Sequence, residues 1–285
     1  MIWELRHEQK IGLLIDVADI PRSTYYYYSK QFSSPNADKY AQIKALIRKI
    51  YDDNKGRYGY RRITKELRKT HRINHKTVQR LIRKMGIFCR VRMKKYNSFR
   101  GEVGRIAPNL LERNFKADKP NLKWVTDVTE FALFGVKLYL SPIIDLFNGE
   151  VVSYNLSYHP NLNHVTDMLE KAFAKIPDNT GLILHSDQGW QYQHASYINS
   201  LNSRGIKQSF SRKGNCMDNS PMENFFGILK NEMYYGHENE FKSIEELKQA
   251  ISDYIDNYYN TKRINIKRKG LSPFEYRQKS LSLVF

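Results

Sequence analysis

The sequence predicts an α/β protein, in which a layered domain with a mixed five-stranded sheet follows a basic, all-helical region. Residues 121–210 alternate between short strand-like apolar runs and segments of helical periodicity, a pattern typical of layered α/β domains. Within them, Asn148-Gly149 separates two apolar runs, which is the strongest short signal for a β-hairpin. Residues before 90 read as helices joined by turns, so the helical region comes first.

The composition favours a cytoplasmic protein with two domains. The chain has 285 residues, of which 41% are hydrophobic and 27% charged, enough for a core and a solvated surface. Its apolar runs are too short to span a bilayer, and MIWELRHEQK lacks the apolar core of a signal peptide. The two cysteines, Cys89 and Cys216, form no CxxC pair, which excludes a disulfide scaffold.

The positive charge is concentrated in the first part of the chain. The net charge is +18, and residues 1–120 contain 29 Lys and Arg against 11 Asp and Glu, whereas residues 121–285 contain 18 of each. A field of this size favours a polyanion, and phosphate contacts would make such binding salt-dependent. The alternative is a basic surface that serves only solubility.

The helical region has two parts. Residues 1–35 contain a short helix, a turn at Asp19-Ile20-Pro21 and a second helix, which resembles part of a helix-turn-helix. Residues 36–90 predict a fuller DNA-binding domain of this kind, and residues 91–120 a basic linker. The three helices predicted in the second part are Tyr40–Asp53, Tyr60–Thr70 and His75–Gly86, the last with Asn74 as N-cap.

The helix His75–Gly86 has the pattern of a recognition helix. Its apolar residues form a stripe on one face of the helix, and its basic residues lie on another face. A helix that inserts into the major groove needs this arrangement, with the apolar face packed on its own domain and the basic face on DNA. The alternative is the solvated face of an ordinary helix. The predicted DNA contacts of this region are Lys76, Arg80, Arg83 and Lys84, with Arg61 and Arg62 on the preceding helix.

The predicted catalytic domain spans residues 121–235, and a helix with a basic tail occupies residues 236–285. The predicted strands are Trp124–Leu133, Val136–Phe147, Val151–Tyr158, Leu182–Ser186 and Lys207–Phe210. The predicted helices are His164–Ile176, Ala195–Arg204, one from Ser220 onward, and Ser243–Tyr259.

Three acids stand at distinct positions in this domain. Asp127 lies inside a predicted strand, Asp187 ends one, and Glu223 begins a helix, with 35 residues between it and Asp187. Asp145, in another apolar strand, is an alternative to Asp127. Glu223 has an alternative role as well, because Ser220-Pro221-Met222-Glu223 has the pattern of a capping box.

Carboxylates from separate elements suit hard divalent cations and phosphodiester chemistry. Two divalent ions roughly 3.5–4 Å apart activate the attacking oxygen and stabilise the leaving one. Mg²⁺ prefers carboxylate oxygens, so we expect two Mg²⁺ ions, with Mn²⁺ as a substitute. Cations nearby predict DNA contacts: Lys230, two helical turns after Glu223, and Arg212 and Lys213 in the polar loop before it.

Together these motifs resemble the DDE transposases of the retroviral-integrase superfamily. The resemblance rests on the three acids and their 35-residue gap, on HSDQGWQY, on SRKGNCMDNSPMENFFGILK and on GLSPFEYR. YGYRRI and NHKTVQRLIRKMGI extend it over nearly the whole chain, most closely to the second-frame (OrfB) proteins of the IS-three family of bacterial insertion sequences.

The resemblance implies an RNase H-like fold with Asp127, Asp187 and Glu223 as metal ligands and Lys230 as a DNA contact. It implies cleavage and transfer of DNA strands at element ends by a 3′ hydroxyl, a homo-oligomer on DNA, and an upstream-frame helix-turn-helix protein as fusion or partner. Two other hypotheses stay open from the sequence: a non-catalytic DNA-binding protein derived from a transposase, and a plain nuclease of the same fold.

Overall fold

The computed structural model describes residues 2–33, 38–89, 107–212 and 215–282. It divides into two compact units, Met1–Phe88 and Cys89–Phe285. Part of the predicted linker, residues 91–106, falls outside the described residues, whereas its end, residues 107–120, belongs to the second unit. Among the described helices, none has the length and apolar character needed to cross a membrane.

The first unit is helical, as predicted. Its helices are α1 Ile2–Leu5, α2 Ile11–Val17, α3 Arg22–Ser33, α4 Ala41–Asp53, α5 Tyr60–Leu67 and α6 His75–Lys84. Helices α4, α5 and α6 pack around the buried side chains of Ile47, Ile63 and Leu81. The predicted N-cap is confirmed, since the Asn74 side chain accepts a hydrogen bond from the backbone N–H of Lys76 at 3.0 Å.

The second unit is built on a six-stranded mixed sheet. Its strands are β1 Lys123–Thr126, β2 Thr129–Leu133, β3 Val136–Asp145, β4 Val151–Ser157, β5 Ile183–Ser186 and β6 Lys207–Phe210. Strand β3 pairs antiparallel with β4 on one side and with β1 and β2 on the other, and β5 and β6 continue the sheet parallel to β1. The Asn148-Gly149 hairpin between β3 and β4 is confirmed.

The sheet has six strands rather than five because the predicted strand Trp124–Leu133 is interrupted at Asp127. The pairs Thr126↔Ile143 and Thr129↔Leu140 keep one register across the gap, which places Asp127 opposite Pro142. Proline has no backbone N–H to donate to the ladder. The prediction that Asp127 lies inside a strand is therefore wrong: it follows the end of β1.

Helices cover the sheet and complete its core. They are α7 Leu162–Phe173, α8 Trp190–Gln193, α9 Ala195–Ser203, α10 Ser220–Met233, α11 Ile244–Asp253 and α12 Pro273–Ser282. One large core cluster includes Trp124 of β1, Leu169 of α7 and Leu201 of α9, all fully buried. Gly205, with φ +66, follows α9 in the left-handed conformation that commonly ends a helix and that glycine adopts without strain.

The C-terminal segment packs against the sheet instead of forming only a basic tail. A π-helical turn, Tyr254–Tyr259, continues α11, and α12 follows it after a short 3₁₀ turn. Asn260 bonds both the N–H and the C=O of Val151 in β4, and Asn148 donates to the carbonyl of Pro273. These contacts join the end of the described chain to the β3–β4 hairpin.

Candidate active site

The ladder between β1 and β5 brings Asp127 and Asp187 together. The two strands are parallel and pair Trp124 with Leu184 and Val125 with His185. Extending that register by two residues sets Asp127 beside Asp187, each just past the carboxyl end of its strand. Neighbouring strands lie about 4.8 Å apart, so two acids 60 positions apart in the sequence become neighbours.

Each aspartate is held by a hydrogen bond to the backbone that follows it. The N–H of Val128 donates to Asp127 Oδ1 at 2.7 Å, and the N–H of Gly189 donates to Asp187 Oδ1 at 2.9 Å. A Cβ at Gly189 would lie only 3.0 Å from that same oxygen. The absence of a side chain at Gly189 therefore leaves space for the Asp187 carboxylate to accept the hydrogen bond from the Gly189 N–H.

The pKa values of all three acids are raised. Burial, followed by the negative charge of Asp187, raises the pKa of Asp127 well above its usual range, and the charge of Glu223 adds to this. Burial also raises the pKa of Asp187 and that of Glu223. The charges of Asp187 and Glu223 thus both disfavour ionisation of Asp127, and a bound cation would favour the ionised forms.

Glu223 lies in the first turn of α10 but does not belong to a capping box. The N-cap is Asn219 rather than Ser220, which lies inside the helix, and the Asn219 side chain makes no capping bond. The predicted capping box is therefore wrong. The Asn219 amide donates instead to the carbonyl oxygen of Thr126 at 3.2 Å, which ties the start of α10 to the end of β1.

Lys230 lies near Asp127 but is engaged with the protein. Its Nζ donates to the carbonyl oxygen of Glu130 at 2.8 Å and lies 5.1 Å from the centre of the Phe131 ring. Burial lowers the pKa of Lys230, and the charges of Glu130 and Asp127 oppose this. Lys230 therefore joins α10 to β2, and its contact with DNA stays a prediction.

Asp145, the alternative to Asp127, does not lie beside Asp187. It pairs with Trp124, at the opposite end of β1 from Asp127. Its buried carboxylate accepts hydrogen bonds from the N–H groups of Asn121 and Phe147, both at 2.9 Å, and Arg277 lies 3.8 Å away. Asp145 thus holds the backbone at the end of β3, on the side of the sheet away from Asp127 and Asp187.

The loop before α10 contains a buried acid, Asp218, that the sequence pattern does not predict. The Asp218 carboxylate is fully buried and is paired with Arg113 at 2.7 Å and Arg212 at 2.8 Å. The Arg212 side chain, predicted to contact DNA, is thus bound to Asp218 while remaining 58% exposed. Lys213 lies outside the described residues. No periodicity distinguishes Asp218, because one partner, Arg113, is 105 residues away and the other, Arg212, lies in the same loop.

The predicted DNA contacts of the first unit lie mostly at its surface. The side chains of Arg61, Lys76, Arg80, Arg83 and Lys84 are exposed and that of Arg62 is half-buried. Residues 68–74, between α5 and α6, line an open cleft of about 770 Å³ that includes the basic side chains of Arg68, Lys69 and Arg72. This unit therefore presents cations on α5, on α6 and on the connection between them.

The three acids offer ligands that suit a hard divalent cation, although their side chains are not arranged tightly around one position. Asp127, Asp187 and Glu223 offer only carboxylate oxygens, which Mg²⁺ and Mn²⁺ prefer. Within the part of the chain that the structure describes, no three His, Cys, Asp or Glu side chains are grouped tightly enough to hold a metal ion. Asp127 and Asp187 are the two of these acids that strand pairing brings side by side.

We expect Asp127→Asn to raise the melting temperature of the metal-free protein at neutral pH. Because the folded-state pKa of Asp127 is raised, its ionisation opposes folding, and stability falls as pH rises above the unfolded value of about 3.9. The gain should be about 2–4 °C per kcal/mol of burial penalty and charge repulsion relieved.

Thermal unfolding from pH 3 to pH 8, with and without Mg²⁺, checks this expectation. The difference between variant and wild type should vanish at the acid end, where both side chains are neutral. Mg²⁺ should stabilise the wild type more than the variant. A variant that is less stable than the wild type at neutral pH without metal would contradict the view that burial and charge repulsion make the ionised Asp127 destabilising.

Family models match both units of the chain. Two models described as integrase core domain match residues 117–216 and 223–281, and one described as HTH-like domain matches residues 38–95. The first two together cover the aspartate pair and the helix of Glu223. The third covers α4, α5 and α6 and confirms the predicted helix-turn-helix character of this region.

Relatives align over almost the whole chain. InsK of Escherichia coli (strain K12), assigned as transposase for insertion sequence element IS150, is 54% identical over 278 residues, 97% of this chain and 96% of that protein. The transposase InsF for insertion sequence IS3A from the same strain is 30% identical over 280 residues, 96% of each. The magnesium complex of the HTLV-2 integrase catalytic core domain matches with 18% identity and a TM-score of 0.44, covering 56% of this chain and 98% of that one.

Proposed function

Since this chain belongs to the insertion-sequence transposases of the IS-three family, which carry an integrase core domain, we propose that it cleaves and joins DNA strands at Asp127, Asp187 and Glu223. The observation that carries this assignment is the shared register of β1 and β5, which sets the two aspartates side by side. It supports these residues over Asp145, which lies at the other end of β1.

In the proposed reaction a 3′ hydroxyl attacks a phosphodiester without a covalent enzyme intermediate. The attacking hydroxyl gives up its proton to solvent as its oxygen forms a bond to phosphorus, the bond from phosphorus to the leaving 3′ oxygen breaks, and the leaving oxygen takes up a proton. Two Mg²⁺ ions, for which Mn²⁺ substitutes, would supply activation of the attacking oxygen and stabilisation of the leaving one. Asp127 and Asp187 would hold these ions, and their backbone hydrogen bonds orient them for it.

Glu223 completes the proposed site by moving towards the aspartates. The start of α10 is already tied to the end of β1 through Asn219, so a change of the Glu223 rotamer or a small shift of the helix is the movement required. The half-buried side chain of Glu223 and its raised pKa fit an acid that gains a cation.

Anomalous scattering from Mn²⁺ tests the assignment of the site. We expect Mn²⁺ density between Asp127 and Asp187 in crystals of the wild type and none there in Asp187→Asn. Density at Asp145, or at any position away from all three proposed ligands, would overturn the assignment. The same soak of Asp145→Asn is the control, because that acid has protein partners in place of a metal.

We infer that the first unit binds the element ends. The exposed basic residues of α6 lie opposite its buried stripe of Val78 and Leu81, so the helix can enter the major groove while its apolar face keeps the unit folded. The predicted contacts Arg61, Arg62, Lys76, Arg83 and Lys84 would bind the surrounding backbone or base edges.

Arg80→Ala should lower the affinity for element-end DNA by about 1–3 kcal/mol and reduce the preference for that DNA over unrelated duplexes. Arg80 is exposed near the middle of α6, with its guanidinium 5.7 Å from the Tyr40 ring. Titrations with both DNAs at several salt concentrations measure the effect. Lys49→Ala, on the exposed surface of α4, controls for loss of one charge. Equal loss on both DNAs from Arg80→Ala would assign this residue to the phosphate backbone.

Pairing two element ends requires two active sites, so we propose a homo-oligomer assembled on DNA. The upstream-frame helix-turn-helix protein would act as fusion or partner and add specificity for the terminal repeats. Arg212, Lys213 and Lys230 are the DNA contacts proposed close to the acids. The whole reaction would take place on DNA in the bacterial cytoplasm.

A further inference from the structure

Two adjacent residues, Asp218 and Asn219, contact all three elements that carry the proposed catalytic acids. They end the 3₁₀ turn Cys216–Asn219, directly before α10. We propose that they are positioning residues, which together hold the ends of β1 and β5 and the start of α10 in register. This inference rests on the proposed function, since it concerns how the site for strand joining is assembled.

Asp218 binds the strand of Asp187 through its backbone. The carbonyl oxygen of Asp218 lies 2.9 Å from Nε2 of His185, two residues before Asp187, and His185 Nδ1 lies 2.8 Å from the Ser209 hydroxyl. A carbonyl oxygen only accepts, so Nε2 carries the proton and Nδ1 accepts from Ser209. His185 is fully buried, and burial lowers its pKa to about 4, so the ring is neutral at pH 7.

Asn219 binds the strand of Asp127. Its side-chain amide donates to the carbonyl oxygen of Thr126, which immediately precedes Asp127. Asn219 is only 5% exposed, and the backbone carbonyl that it satisfies lies where β1 stops pairing with β3. The Asn219 amide therefore provides the hydrogen bond that a neighbouring strand would otherwise give to the Thr126 carbonyl, at the end of β1 just before Asp127.

The Asp218 carboxylate anchors this pair of residues to the protein. Arg113 Nε donates to one oxygen at 2.7 Å, and Arg212 donates through Nε at 2.8 Å and Nη2 at 2.9 Å. The backbone N–H of Arg212 and the Asn109 amide complete the set at 3.1 and 3.2 Å. A carboxylate with no exposed surface stays charged only with such partners, so its position is tightly determined.

The loop that leads to Glu223 is thus attached at both ends. At its start, the N–H of Ser211 donates to the carbonyl oxygen of Ser186, next to Asp187, at 2.9 Å. At its end, Asp218 and Asn219 make the contacts described above. Loss of either residue would let α10 shift relative to the aspartates, and a displacement of about 1 Å in a reacting constellation costs on the order of 10²-fold in rate.

The test compares Asp218→Asn and Asn219→Ala with Asp178→Asn in the full chain. Asp178 forms a half-exposed ion pair with Arg204 at 2.7 Å and provides the same substitution away from the acids. Three quantities are measured: Mn²⁺ affinity without DNA by electron paramagnetic resonance, affinity for element-end DNA, and the joining rate at saturating DNA. We expect about 10–100-fold losses in Mn²⁺ affinity and joining rate for the first two variants. DNA affinity should be unchanged for Asn219→Ala, which leaves the ion pair of Arg212 with Asp218 intact.

Each outcome decides the proposal. If both variants fold and keep wild-type Mn²⁺ affinity and joining rate, Asp218 and Asn219 do not position the acids. If Asp218→Asn unfolds, Asn219→Ala, which removes one side-chain bond, decides alone. Equal effects of Asp178→Asn would also overturn the proposal. A wild type that binds element-end DNA and Mn²⁺ but never joins strands would contradict the proposed function instead, because the Mn²⁺ affinities of the variants would still report on positioning.

Discussion

Asp187→Asn is expected to lower the rate of DNA strand joining by about 10³-fold or more, while the protein stays folded and bound to DNA. Metal ions contribute several kcal/mol of transition-state stabilisation, and each ~1.4 kcal/mol is a factor of ten in rate. The substitution keeps the shape of the side chain and its capacity to accept the Gly189 hydrogen bond, but it removes the charge that would hold the ion. Stability should not fall, because burial opposes ionisation of Asp187.

Single-turnover joining of a pre-cleaved element end with Mg²⁺ measures this effect without interference from end cleavage. Asp178→Asn is the matched control and should join at the wild-type rate, since Asp178 pairs with Arg204 in a half-exposed ion pair away from the three acids. DNA affinity and melting temperature are recorded for each variant. Joining by Asp187→Asn within tenfold of the wild type would remove Asp187 from the site.

Glu232→Ala is expected to lower the free energy of unfolding of the second unit by about 3–5 kcal/mol. Glu232 on α10 and Arg263, after the π-helical turn, are both buried and form a two-pronged ion pair with distances of 2.7–3.1 Å. The Tyr254 hydroxyl also donates to Glu232, at 2.8 Å. Truncating the glutamate would leave a buried guanidinium charge without its carboxylate.

Denaturant unfolding followed by tyrosine and tryptophan fluorescence measures this loss. Asp178→Ala breaks a half-exposed pair and should cost about 0–1 kcal/mol, which makes it the control. The double variant Glu232→Leu, Arg263→Leu should recover much of the stability, because it removes both buried charges. A loss for Glu232→Ala no larger than that of the control would show that the pair contributes little.

The regular elements of the second unit were predictable because their sequence patterns reflect local geometry. The hairpin at Asn148-Gly149 and the helix end at Gly205 both follow from backbone conformations that few residues adopt. The prediction of one uninterrupted strand through Asp127 was wrong because strand-like apolar residues lie on both sides of it. Both flanking segments do pair with β3, in the same register. The break between β1 and β2 lies opposite Pro142 of β3. The sequence alone does not show that Pro142 faces Asp127, because this depends on the register of strand pairing.

The neighbours of the three acids were the less predictable part. Ser220 and Glu223 have the spacing of a capping box, yet the 3₁₀ turn before α10 shifts the N-cap to Asn219. Local spacing cannot show such a shift, since it results from the contacts of Asp218 and Asn219 with distant strands. The same holds for Arg212, whose partner Asp218 is six residues away in a loop without periodicity.

The parallel ladder between β1 and β5 also determines which changes of length this fold tolerates. The chain between Asp127 and Asp187 can gain or lose residues in its turns, because the relative position of the two acids depends on strand pairing rather than on their separation in sequence. An insertion of one residue within β1 or β5 is different, since it would turn one carboxylate to the other face of the sheet. Related chains should therefore vary in the length of the turns between the two aspartates. The few strand residues that precede each aspartate should carry no insertion or deletion.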